Sequence, residues 1–201
     1  MNFKRMTMIA VALIAAALFV LVGCGMPGAE ATGGSRGANY YQCWTNGKGT
    51  ASCSHNGNSF SAKWSNIGDI VAGIGYNGCN SATLSWSGSC SNCNYFGVYG
   101  WLSSPITEYY IGRGGGSSAG SYSTSRGSYT LQSYNCNGAN ITGSGKFVQF
   151  NCSGAGSSPI NMSEHFSGWK KLGKQVNSQS YCMVAAEAWN GGSGSTSITL
   201  K

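Results

Sequence analysis

Charge is scarce in this 201-residue sequence: 8% of its residues are Asp, Glu, Lys or Arg, where a soluble domain usually carries about a quarter. Acids are the scarcest, five against twelve Lys and Arg. Helical bundles and coiled coils build their exposed faces from Ala, Glu and Lys, so the shortage excludes them. A charge-solvated disordered chain is excluded as well, because 41% of residues are apolar and 12% aromatic. The formal charge of +7 is the result of few acids, not of a basic stripe: past the N-terminus, Lys170-Lys171 is the only adjacent basic pair. Nucleic acid is therefore not an expected partner. Proline is also rare, at 3, while glycine stands at 32 and Ser, Thr and Asn fill the polar positions. That mix suits a β-rich domain of one unit, with hydroxyls and amides in place of surface charge.

The N-terminus places the chain in a compartment. Lys4 and Arg5 precede an apolar run over 8–22, too short for a comfortable membrane span and of the kind a secretory signal carries. Two processing readings fit. Leu21-Val22-Gly23-Cys24 resembles a bacterial lipobox, which would lipidate Cys24 and tether the protein to a membrane surface; Ala29-Glu30-Ala31 is an ordinary A-x-A cleavage pattern. The division adopted is a signal over 1–23, a flexible Gly-rich tether over 24–37 and a single domain over 38–201. The protein is expected outside the cytoplasm, as a monomer.

Both readings leave eight cysteines: Cys43, Cys53, Cys79, Cys90, Cys93, Cys136, Cys152 and Cys182. An even number in an oxidising compartment implies four disulfides, with 105 possible connectivities. Cys90 and Cys93 form a C-x-x-C, but there is no second such pair, and His55 and His165 are distant. Zinc is set aside, and no cofactor or metal is expected.

Past residue 37 the chain reads as strands and turns. Runs 40–45 and 50–54, joined by Asn46-Gly47-Lys48-Gly49, predict a hairpin whose arms Cys43 and Cys53 could bridge. Phe60, Ala62 and Trp64 alternate with Ser61, Lys63 and Ser65, a period of two with one apolar and one hydroxylated face. Further strand-like runs are 82–86, 95–101, 106–111, 128–134, 146–151, 181–189 and 195–200, with a Gly/Ser-rich loop over 112–120. One segment differs. Asn161 as N-cap with Glu164 as a capping-box partner, Phe166 and Trp169 on one face and Gly173 as a stop predict one short helix over about 163–172. Many strands and one helix define an all-β jelly roll or β-sandwich of two strongly curved antiparallel sheets.

Past the tether only four acids remain: Asp69, Glu108, Glu164 and Glu187. Glu164 suits the helix N-terminus, and His165 reads as a helix residue of the surface or core. Glu108 and Glu187 instead lie inside strand-like runs, where a carboxylate needs a reason. Parity shows their neighbours. Glu108 shares a face with Tyr110; Glu187 shares one with Tyr181, Met183, Ala185 and Trp189, while Cys182, Val184 and Ala186 point the other way; Tyr99 and Trp101 share a face of the strand before. Rings bearing hydroxyl or indole groups stack on sugars and bond their hydroxyls, and two carboxylates in a sugar cleft are what glycosidic hydrolysis needs.

Tyr99-Gly100-Trp101-Leu102-Ser103-Ser104-Pro105-Ile106-Thr107-Glu108-Tyr109-Tyr110-Ile111 resembles the nucleophile strand of family 11 glycoside hydrolases, the small endo-β-1,4-xylanases, with their Y-G-W…E-Y-Y pattern. Trp64-Ser65-Asn66-Ile67-Gly68-Asp69-Ile70-Val71 resembles the family's W-S-N-x-G-[ND]-F-V. His165-Phe166 with Trp169 is similar to its helix, and Tyr181-Cys182-Met183-Val184-Ala185-Ala186-Glu187-Ala188-Trp189 to its acid/base strand. The motifs run in order over about 40–200. The resemblance implies that Glu108 is the nucleophile and Glu187 the general acid/base of a retaining enzyme acting on xylan or xylo-oligosaccharide, with carboxyls about 5–5.5 Å apart and pKa values pushed apart. It implies substrate-binding roles for Trp44, Asn66, Tyr99, Trp101, Tyr110, Gln149, Tyr181 and Trp189.

Asp69 occupies a position where the family carries Asn or Asp beside the acid/base. A carboxyl there shares a proton with Glu187, so the optimum is expected below pH 6. The stretch Asn137-Gly138-Ala139-Asn140-Ile141-Thr142 stands where the family's thumb hairpin has Pro-Ser-Ile with an Arg nearby; Cys136 falls near that Arg, and with Cys152 on the other arm it could form a bracing disulfide. Ala188-Trp189 replaces the family's Gly-Tyr. Sequons start at Asn140, Asn151 and Asn161, relevant only in a glycosylating host. The competing readings are a non-catalytic glycan-binding protein on the same fold and a β-glucan-cleaving sandwich enzyme.

Overall fold

The computed structural model describes residues 37–201, so the expected signal, Cys24 and all but the last residue of the tether lie outside the described residues. The strands are β1 (Tyr40–Thr45), β2 (Thr50–Asn56), β3 (Ser59–Asn77), β4 (Thr83–Leu84), β5 (Trp86–Ser91), β6 (Tyr95–Ser104), β7 (Ile106–Ile111), β8 (Ser117–Thr124), β9 (Gly127–Asn140), β10 (Gly143–Ser153), β11 (Ile160–Asn161) and β12 (Ser178–Leu200). The single helix among the described residues, α1 (Met162–Lys171), comes before β12.

Two long strands hold the jelly roll together. In β3, residues 59–65 alternate exposed and buried, with Phe60, Ala62 and Trp64 inward; over 70–76 every residue is buried. β12 mirrors this, buried throughout 181–188 and alternating towards its C-terminal end. The pattern changes at a bend in each: Asn66 takes φ 49, and the β3–β12 register breaks between Trp189 and Gly194. An Asn tolerates that left-handed conformation better than most residues. Beyond the bends each strand joins a second layer. One layer runs β1-β3-β12-β6-β7-β10-β9-β8; β2 and β5 pair with the far halves of β3 and β12. The apolar faces of the two layers, with α1, enclose the main core, which includes Trp64, Ile70, Leu84, Leu131, Trp169 and Val184.

The pairings are antiparallel except one: β7 and β10 run parallel, placing Gln149 opposite Glu108. The expected β1–β2 hairpin does not form as a ladder. Both strands pair with β3 instead, β1 against Ile70–Gly75 and β2 against Ser59–Ser65. The four-residue connection therefore turns the corner between layers. The two strands still face each other, through the Cys43–Cys53 disulfide and a Tyr41–His55 ring stack. The reading of 181–189 and 195–200 as separate strands is likewise corrected to one continuous strand, and part of the expected 112–120 loop belongs to β8.

Three disulfides, not four, are present among the described residues: Cys43–Cys53, Cys79–Cys182 and Cys90–Cys93. Cys136 and Cys152 remain free thiols. The β9–β10 register explains why they do not brace the thumb. Cys136 lies opposite Phe147 and Cys152 opposite Leu131, five residues apart along β10; an odd separation puts their side chains on opposite faces. The helix is capped as expected, Asn161 Oδ1 accepting from the Ser163 N–H at 3.0 Å, and Gly173 ends it at φ 75. Glu164 does not complete a capping box. Its carboxylate accepts instead from the backbone and hydroxyl of Ser125.

Candidate active site

A second apolar cluster lies on the concave face of the large layer, away from the main core: Val71, Tyr95, Tyr99, Trp101, Tyr110, Tyr181, Met183 and Ala185, with Tyr40, Trp44, Ile106, Ile141 and Phe147 packed against it. Parity builds this trough. On β12 the odd residues Tyr181, Met183, Ala185 and Glu187 face it, while Cys182, Val184 and Ala186 face the main core. Opposite them on β3 stand Gly75 and Gly73, facing Met183 and Ala185. A Cβ at either glycine would run into the β12 backbone, so two missing side chains allow the close approach that curves the sheet.

Glu108 and Glu187 both enter this trough. Glu108 is half-buried, and its Oε1 accepts from the Tyr99 hydroxyl at 2.9 Å; Trp101 Nε1 in turn donates to Tyr99 at 2.6 Å. Glu187 is 8% exposed. Its Oε1 accepts from the Tyr110 hydroxyl at 3.1 Å, and its Oε2 lies 3.3 Å from a guanidinium nitrogen of Arg113. The carboxyls are electrostatically linked. Burial raises the pKa of both. For Glu108, the hydrogen bond from Tyr99 and the positive charge of Arg113 favour the charged form and oppose the rise. For Glu187 the negative charge of Glu108 adds to burial, and despite Arg113 its pKa is pushed up to about 8. One carboxyl is thus set to hold a proton in the neutral range while its neighbour's charge is stabilised.

Other predicted residues fall around this pair. Tyr181 is buried and stacked on Tyr40 with ring centroids 4.2 Å apart. Trp44 packs against the trough at the β1 edge. Gln149, 6% exposed, donates to Asn151 Oδ1 at 3.1 Å. Trp189 pairs with Asp69 across β12 and β3. Asp69 is half-buried; burial raises its pKa, and its Oδ1 is enclosed without a hydrogen-bond partner. Asn66 sits at the bend of β3, exposed, with its backbone N–H donating to Ser193 Oγ.

Sequence reasoning missed three contributors. Tyr40 and Ile141 reach the trough from its opposite rims, Ile141 from the two-residue tip of the β9–β10 hairpin. Arg113 is the third. The Gly-rich composition of 112–120 read only as a loop, although Arg113 is the first side chain after the strand that carries Glu108.

A jelly roll whose concave face carries two carboxyls among tyrosines and tryptophans is the architecture of a polysaccharide-cleaving hydrolase. The comparisons agree. Residues 36–199 match the family described as Glycosyl hydrolases family 11, and the chain belongs to that family. Endo-1,4-beta-xylanase A of Schizophyllum commune is 34% identical over 200 residues, covering 86% of this chain and 99% of that protein. Endo-1,4-beta-xylanase 1 of Leucoagaricus gongylophorus is 34% identical over 198 residues, covering 85% and 82% respectively. One of two major endo-1,4-β-xylanases of Trichoderma reesei superposes with a TM-score of 0.71 at 30% identity, over 83% of this chain and 99% of that one.

Proposed function

We propose that the protein is an endo-1,4-β-xylanase that cleaves xylan with retention at the anomeric carbon. The observation that carries this reading is the pair Glu108 and Glu187, entering one trough from different strands with unlike proton affinities. Glu108, ionised, attacks the anomeric carbon and forms a glycosyl ester. Glu187 gives its proton to the departing glycosidic oxygen. In the second step Glu187 takes a proton from water, whose oxygen attacks the same carbon and releases Glu108. Tyr40, Tyr181, Trp44 and Trp101 supply ring faces for successive xylose units, and Gln149 an amide for their hydroxyls. The three disulfides fit an extracellular enzyme. Release by signal cleavage and tethering through a lipid on Cys24 are the two routes to that location, and the enzyme works as a monomer.

Asp69 sets the pH range. Burial of its carboxyl, with no donor on the enclosed Oδ1, disfavours the charged form. The competent form has Asp69 and Glu187 both protonated and Glu108 ionised. As pH rises that acid pair loses its first proton and activity falls, giving an optimum below pH 6. In Asp69→Asn the early loss disappears, Glu187 alone governs the descending limb, and the optimum moves upward. Were a singly protonated pair competent, the variant would remove a negative charge, lower the Glu187 pKa and move that limb down.

The test is reducing-sugar release from soluble xylan between pH 3 and 8 by the wild type, Glu108→Gln and Asp69→Asn. Release by the wild type that vanishes in Glu108→Gln is the expected result. Retardation by xylan in an affinity gel without release would make the protein a glycan-binding module and overturn the proposal.

A further inference from the structure

Both oxygens of Glu187 are occupied: Oε1 by the Tyr110 hydroxyl and Oε2 by Arg113. Whichever oxygen takes up the proton meant for a glycosidic oxygen accepts more weakly, so one of these two partners must loosen when Glu187 is protonated. The two partners differ in kind. Tyr110 lies within β7, flanked by Tyr95 and Tyr99 at ring distances of 5.0 and 5.1 Å, and is 2% exposed. Arg113 sits just past β7, between Gly112 at φ 94 and three further glycines, Gly114 to Gly116. Its side chain is 26% exposed. What holds its head in place is aromatic: the guanidinium carbon lies 4.3 Å from the centre of the Tyr110 ring and 5.3 Å from that of Trp189. These are cation–π distances. One flat cation is therefore fixed by two rings at the edge of the acid/base carboxylate.

We propose that Arg113 is a positioning residue for the acid/base: a guanidinium clamp, seated on Tyr110 and Trp189, that grips the Glu187 carboxylate when it is ionised and leaves its Oε2 free when it is protonated. The reason is the charge on the acceptor. A guanidinium has donors only; its bond to an ionised Oε2 is charge-assisted, whereas a protonated Oε2 accepts weakly and has its own proton to place, so the contact is strong only in the ionised state. Arg113 is also the positive partner in a crowded negative setting. The groups facing Glu187 are Glu108 and Tyr110 from β7, Asp69 from β3, and Tyr95 and Tyr99 from β6. Burial and the carboxylates hold the proton on Glu187, and Arg113 opposes them. Acting through the clamp, Arg113 returns Glu187 to the base form that the second step needs. This role rests on the reading of Glu187 as acid/base, but its electrostatic part does not need substrate.

The test follows the carboxyls directly, in protein labelled with 13C at the glutamate side-chain carboxyl. The sequence has only four glutamates, so their signals are separable. Arg113→Met is expected to raise the midpoint of the Glu187 titration by about one pH unit, and Arg113→Lys, which keeps the charge but not the flat head, by less. In xylan hydrolysis by Asp69→Asn, where Glu187 alone governs the descending limb of kcat/KM, adding Arg113→Met moves that limb upward with it, while the melting temperature stays near that of the parent. An unmoved Glu187 midpoint in folded Arg113→Met, or in Arg113→Lys should the first variant not fold, overturns the clamp. A raised midpoint in a protein that releases no sugar supports the clamp and overturns only the xylanase reading.

Discussion

Strand β12 shows both of its faces to buried surroundings, and they treat ionisable groups in opposite ways. On the core side, Cys182 is tied to Cys79, and Val184 and Ala186 pack among aliphatic and aromatic side chains that end at α1. One titratable group there is His165, 1% exposed. Trp169 Nε1 donates to the Tyr122 oxygen at 3.1 Å, and the Tyr122 hydroxyl and His165 Nδ1 share a hydrogen bond of 2.7 Å. Burial holds the imidazole neutral, its pKa lowered to about 4. On the trough side, one residue along the same strand, Glu187 is buried nearly as deeply but faces another carboxyl, a guanidinium and Asp69 with an unpartnered oxygen. The core holds the His165 imidazole neutral and hydrogen-bonded to a neighbouring side chain, which makes it inert. The trough leaves donors, acceptors and charges unbalanced, and a ligand can complete them.

The two faces therefore respond differently when broken. The largest effect is expected from Glu108→Gln, which reduces xylan hydrolysis to background without lowering the melting temperature, because it removes a half-buried charge and no packing. Glu187→Gln is expected to slow kcat by about 10²–10⁴-fold.

The stability of the fold offers the next contrast. Glu187 has a folded pKa above its ordinary 4.5, so the unfolded chain holds fewer protons between about 4.5 and 8, and stability falls as pH rises through that window. His165 has a folded pKa below its ordinary 6.5. Its contribution is complete above pH 6.5 and is lost as pH falls towards 4, at about 3 kcal/mol in full. Urea unfolding across pH is expected to lose its alkaline slope in Glu187→Gln and to keep it in His165→Asn, which instead loses the acid slope. A single slope shared by both variants would break the comparison.

The smallest effect concerns the free thiols. Cys136 faces the trough, its Sγ 3.6 Å from Gln149 Oε1, whereas Cys152 is fully buried with its pKa pushed up to about 12. Alkylation followed by peptide mapping is expected to mark Cys136 in the native protein and Cys152 only after denaturation. Equal labelling of the two would contradict the assignment of faces.

Much of this was legible in the sequence because strands write their two faces in alternate letters. The parity of 181–189, the Glu108–Tyr110 pair and the Tyr99–Trp101 pair all placed their residues on the face the structure gives them. The helix was legible through Asn161 and Gly173. What parity does not encode is which strand lies beside which. Nothing local distinguishes a β1–β2 hairpin from two strands that both pair with a bent β3, since the turn residues 46–49 suit either. The Cys136–Cys152 bridge failed for a related reason: both lie on hairpin arms, but their separation along the ladder puts them on opposite faces. Arg113 escaped because its position depends on Tyr110 and on Trp189, 76 residues later in the numbering, and on a Gly-rich loop that carries no period at all.

In the proposed mechanism the two carboxyls of the trough divide the chemistry, with Glu108 as the nucleophile. A 2-deoxy-2-fluoro-β-xylobioside with a good leaving group tests it directly, because it slows release of the glycosyl-enzyme and lets the ester accumulate. Mass spectrometry of the digested protein is expected to find one added disaccharide, on the peptide that contains Glu108. A label on Glu187, or turnover of xylan with no covalent label at all, would contradict it.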